Sequence, residues 1–111
     1  MHDIVAFRMQ LKPGNEAEYQ RRHDALWPDL AAVLNDAGVF DYWIFLDPDT
    51  LALFAVLRLR SSDQREDLAQ NPVVRRWWDH MAELMETHAD NRPVEWPLTP
   101  VFHFPGASPA A

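Results

Sequence analysis

Hydrophobic positions along this chain change period several times, and each change marks an element. Residues 4–11 alternate, with Val5, Phe7, Met9 and Leu11 on one side and Ile4, Ala6, Arg8 and Gln10 on the other, as a strand does. Lys12, Pro13 and Gly14 stop it. From Asn15 the period lengthens to that of a helix, and Tyr19, His23, Leu26, Trp27, Leu30, Val33 and Leu34 fall on one stripe that ends near Asp36. Asn15 and Glu18 have the spacing of a capping box, and Gly38 suits the left-handed position that closes a helix. Pro28 lies inside the stripe. It predicts a kink or break just after His23, because proline removes a hydrogen bond and crowds the preceding turn.

Alternation returns at residues 39–46, with Phe40, Tyr42, Ile44 and Leu46 on one face and Val39, Asp41, Trp43 and Phe45 on the other. Both faces are largely apolar. Asp47, Pro48, Asp49 and Thr50 have strong turn chemistry, so residues 51–60 return antiparallel, with Leu51, Leu53, Ala55, Leu57 and Leu59 facing the core. Ser61 and Gln64 offer a second capping box for a short helix that Asn71 and Pro72 interrupt. Val73, Val74, Trp77, Trp78, Met81, Leu84 and Met85 then form a broad helical face. Residues 87–97 read as a loop, residues 98–104 as a last strand that Pro100 confines to an edge or bulge, and residues 105–111 as a flexible tail.

The order strand, helix, strand, strand, helix, strand is the βαββαβ arrangement of a ferredoxin-like α+β domain over residues 1–104, with an antiparallel sheet. Right-handed crossovers place both helices on one face of that sheet. The other face is left bare, and its apolar residues predict a homodimer packed sheet to sheet.

Composition narrows the partners. The 111 residues carry a net charge of −7, which argues against nucleic acid and anionic membrane surfaces. No stretch is apolar for the roughly 18 residues that a membrane span requires. Cysteine is absent, which excludes disulfides and thiolate metal sites and is compatible with a reducing cytosol. The N-terminal residues lack a basic region followed by an apolar run, so a cytoplasmic protein is expected. The five histidines show no spacing suited to a metal, and no Gly-x-Ser-x-Gly or phosphate-cradling glycine loop is present.

Candidate chemistry lies in the first helical stripe. Tyr19 and His23 stand one turn apart and face the interior, where an unpaired hydroxyl or imidazole costs about 1 to 3 kcal/mol. Either the core satisfies them or a polar ligand does. A histidine there suits acid/base work, since it titrates near neutrality. Tyr42 shares the sheet face expected beneath the helices, and is either a cross-strand aromatic or a third polar group aimed at His23. Trp77 and Trp78, about 100° apart on their helix, cannot both point at the sheet. The one at the flank either packs or lines a pocket, where an indole face suits the C–H face of a sugar ring.

The segments Glu18-Tyr19-Gln20-Arg21-Arg22-His23, Trp27-Pro28-Asp29-Leu30, Tyr42 with Leu46-Asp47, Arg76-Trp77-Trp78, and Asp90-Asn91 with Pro93 together resemble the L-rhamnose mutarotase family. The resemblance runs from the first strand to Phe104. It implies a dimeric α/β barrel that interconverts the anomers of L-rhamnose, with His23 as proton donor and Tyr19, Tyr42, Trp77 and Trp78 binding the sugar. Opening and closing a hemiacetal moves protons and no electrons, so no cofactor or metal is expected. Two other functions fit such a barrel: a cofactor-independent monooxygenase acting on a flat aromatic substrate, and a sugar-binding protein without catalysis.

Overall fold

The computed structural model describes residues 3–107. Its elements run β1 (Asp3–Gln10), α1 (Glu16–Asp24), α2 (Pro28–Asp36), β2 (Val39–Leu46), β3 (Ala52–Leu59), α3 (Gln64–Gln70), α4 (Pro72–Met81), a 3-10 turn (Ala82–Leu84) and β4 (Trp96–Pro97). The strands form one antiparallel sheet in the order β2-β3-β1-β4. Phe7 opposite Ala55 and Tyr42 opposite Leu57 fix the register of the central pairs. Phe7, Met9, Leu53, Leu57 and Leu59 form the floor on which Tyr19, Leu30, Val74, Trp77 and Met81 pack, so the helices cover one face. This is the expected ferredoxin-like α+β fold.

The first helical stripe divides in two. Trp27 takes an extended conformation (φ −64°, ψ 130°), as a residue before proline prefers, and Pro28 starts α2. Ala25, Leu26 and Trp27 thus form a corner at the end of α1, and Leu26, on the predicted stripe, faces the hollow between the helices and the sheet and is not packed into the core. Gly38 closes α2 at φ +87°, as expected.

Four local expectations need correction. Asn15 makes no capping bond with its side chain, whose amide donates to the Leu84 carbonyl at 3.5 Å, and Glu18 is held by the guanidinium groups of Arg21 and Arg22. No side-chain cap forms at α3 either, where the Ser61 carbonyl, not its hydroxyl, accepts from the Gln64 amide at 3.2 Å. In β2 a bulge between Val39 and Asp41 breaks strict alternation. It turns Val39 into the core and leaves Phe40 exposed, the reverse of the expected faces. Leu51, at φ +64°, ends the Asp47–Thr50 turn and so precedes β3.

The last strand is the largest departure. β4 is Trp96–Pro97, paired with Arg8 and Phe7, and lies where a loop was expected. Residues 98–104 alternate in sequence but form no strand; Val101, Phe102 and Phe104 are 93%, 82% and 76% exposed. Of the tail expected at residues 105–111, residues 108–111 lie outside the described residues.

Candidate active site

Between the helices and the sheet lies a cavity of about 620 Å³, lined by side chains from β1, α1, α2, β2, β3, α3, α4 and the segment before β4. That volume is in the range of small-molecule sites. His23, Tyr19, Tyr42, Trp77 and Trp78 all line it. A stripe on α1, a position on β2 and a pair on α4 therefore converge, although they are far apart in the chain.

The helical turn between Tyr19 and His23 does more than align them. His23 Nδ1 lies 3.0 Å from the Tyr19 backbone carbonyl, and since a carbonyl can only accept, Nδ1 carries the proton. Nε2 is then the nitrogen available to a ligand. The two rings lie 4.4 Å apart between centroids, and the His23 ring meets Trp77 edge-on at 5.4 Å and 90°. Trp77 is buried, with Trp27 edge-on to it at 5.1 Å, while Trp78 lies half-buried at the flank, with the guanidinium groups of Arg75 and Arg92 at 5.4 and 5.6 Å from its ring centre. The 100° between neighbouring helical residues sends one indole into the core and the other to the rim.

Burial sets the charge states. It lowers the His23 pKa below 6.5, against weaker opposing effects of the Tyr19 carbonyl and Asp24. It raises Tyr19 strongly, with Tyr42 adding to the effect. Tyr42 is 40% exposed as a residue, but the protein around its phenol pushes it up to about 12, with Glu95 adding and Arg65 opposing. The solvent that reaches Tyr42 tempers the size of that rise and leaves its direction. At neutral pH the site therefore holds a neutral imidazole and two protonated phenols.

The family model for L-rhamnose mutarotase matches residues 4–104. The chain belongs to the L-rhamnose mutarotase family. The L-rhamnose mutarotase of Rhizobium meliloti is 60% identical over 99 residues, covering 88% of this chain and 94% of that protein. That of Burkholderia orbicola is 56% identical over 101 residues, covering 91% and 97%. Among solved structures, L-rhamnose mutarotase FA22100 from Formosa agariphila superimposes with a TM-score of 0.86 at 43% identity, covering 92% of this chain and 98% of that one.

In this mutarotase-family chain the cavity also holds residues that the sequence did not single out. Arg65 on α3 and Glu95 before β4 are ion-paired at 3.1 Å, both mostly buried. The Arg65 guanidinium lies 4.9 Å from the Phe7 ring centre. Neither residue had a legible signal, since Arg65 falls in a short polar helix and Glu95 in a proline-bearing loop. His80 packs near Trp27 and Trp77 without lining the cavity. A second, more open hollow of about 530 Å³ beside His88 and Asp90 shares Arg92, Pro93 and Glu95 with the main cavity and reaches none of the five predicted residues.

Proposed function

We propose that this chain interconverts the α and β anomers of L-rhamnose, with His23 as its proton-transfer group. The observation that carries this reading is the convergence of a neutral imidazole, two protonated phenols and two indoles on one cavity. A neutral ring begins as an acceptor. Nε2 takes the proton of the anomeric hydroxyl while the bond from C1 to the ring oxygen breaks, and the ring oxygen takes a proton from a phenol, Tyr19 or Tyr42. After C1 rotates, the ring hydroxyl attacks the other face of the aldehyde and returns its proton to the phenol. The imidazolium then donates its proton to the anomeric oxygen. Every atom and proton is restored except the configuration at C1.

The walls suit a 6-deoxy sugar. Trp77 and Trp78 offer indole surface to C–H faces, and Leu30, Ile44, Leu46 and Leu57 offer an apolar lining to a methyl group, worth about 1 to 3 kcal/mol. Replacing His23 by alanine is expected to slow anomer exchange, followed by saturation-transfer NMR, by about 10² to 10⁴. Exchange at the wild-type rate in a folded His23→Ala protein would remove the imidazole from the mechanism.

The proposal includes a homodimer. On the sheet face away from the helices Ile4, Trp43 and Phe45 are exposed, and the Trp43 and Phe45 rings stack with centroids 5.8 Å apart. A second copy of the same face would cover this apolar surface, which monomers seldom leave open. To the same proposal belongs the cytoplasmic location expected from the sequence. Among the described residues no helix is long and apolar enough to cross a membrane.

A further inference from the structure

The cavity contains a charged pair that the proton transfer leaves unused. Arg65 Nη2 donates to Glu95 Oε1 at 3.1 Å, and the two side chains are 29% and 23% exposed. Among the described residues this is the one hydrogen bond either side chain makes. A guanidinium has five N–H donors and a carboxylate two acceptor oxygens, so most of the donors and the second oxygen remain available. Both residues line the cavity, and both act on the Tyr42 phenol: Glu95 raises its pKa and Arg65 lowers it. Tyr42 lines the same cavity from the strand side, while His23 and Trp77 are held together on the helical side.

Stability gives little reason for this arrangement. A partly buried ion pair with one contact contributes little net, because removing the charges from water offsets their attraction. A ligand does give a reason. Neighbouring hydroxyls on a sugar ring donate to a carboxylate and accept from a guanidinium, and a pair that presents both in fixed relation matches them. The neighbouring lining is apolar, with Phe7 under the guanidinium. A polar group placed in such a wall fixes the orientation of a bound ligand.

We propose that the Arg65–Glu95 pair is a positioning clamp that holds sugar ring hydroxyls and sets which stereoisomers the cavity turns over. This rests on the reading of the cavity as a sugar site. A sugar with the right hydroxyls completes the hydrogen bonding of the pair. One with a hydroxyl missing or inverted leaves charged groups desolvated and unpaired, and such losses discriminate strongly between substrates.

The test compares wild type, Glu95→Gln and Arg65→Lys on L-rhamnose and its 2-, 3- and 4-deoxy analogues. Anomer exchange gives kcat and KM, and titration calorimetry gives Kd. Each variant keeps a hydrogen-bonding partner for the other residue, which protects the fold. For L-rhamnose the variants are expected to raise KM and Kd roughly 10- to 100-fold, with a much smaller fall in kcat than His23→Ala produces. For the deoxy sugar that lacks the clamped hydroxyl, wild type and Glu95→Gln become nearly equal, a convergence that a merely structural role would not produce. Wild-type KM and Kd in folded variants, or one common loss on all four sugars, would overturn the clamp. Failure of the wild type to accelerate L-rhamnose exchange would instead overturn the catalytic reading, and the Kd comparison would still decide the clamp.

Discussion

Burial holds the His23 ring below its ordinary pKa of 6.5, so the folded chain favours the neutral imidazole more than the unfolded chain does. Between the folded and unfolded pKa values the unfolded state carries more protons, and stability rises with pH. The contribution is fully present above 6.5 and is lost as pH falls through the window below it. Replacing His23 by glutamine is therefore expected to flatten the dependence of melting temperature on pH between about 7 and about 5. In the proposed mechanism the same titration governs the rate. A neutral acceptor requires kcat/KM to rise with pH through the depressed pKa and then level off, until the phenols begin to ionise. A rate that falls across that lower window would reverse the direction in which His23 first moves its proton. Tyr19 and His23 were legible because one helix carries both, and its period alone brings them together. Arg65 and Glu95 were not, because nothing in either segment shows that the fold will join two charges from different elements.

At the scale of elements, α4 carries both indoles and its start is fixed by Asn71, whose Oδ1 accepts from the Val73 amide at 2.9 Å. Asn71→Ala is expected to cost about 1 kcal/mol, a fall in melting temperature of about 4 °C for a chain of this size. Asn15→Ala, at a helix start without a side-chain cap, is expected to cost clearly less. Thermal unfolding of the two variants side by side checks the contrast; equal losses would mean that the Asn71 bond contributes no capping energy. The helix periods, the break before Pro28 and the central strands followed from side-chain pattern, because burial of one face determines them. Capping boxes and the bulge at Phe40 did not. Spacing permits a capping box without requiring it, and at α1 the guanidinium groups of Arg21 and Arg22 hold Glu18. The bulge comes from pairing with β3, which β2 read alone cannot reveal.

Across the whole molecule, the sheet separates the cavity from the face of the proposed dimer. The cavity lies on its helical face and the exposed Trp43 and Phe45 on the other, so disrupting association should leave sugar handling intact. Trp43→Glu is expected to give a monomeric mass in light scattering at micromolar concentration, with KM for L-rhamnose unchanged. A wild-type protein already monomeric under those conditions would sink the homodimer. The fold order was legible from the order of periods, but the site of the last strand was not: residues 98–104 alternate, whereas pairing with β1 goes to Trp96 and Pro97.

The single sheet beneath each cavity has a further consequence. In the proposed dimer, two sheets stacked back to back would stand about 10 Å apart, and each hollow would keep the walls of its own subunit. The two pockets of such a pair would fill independently, with hyperbolic rather than sigmoidal saturation, and a subunit with a disabled imidazole would not silence the intact one beside it.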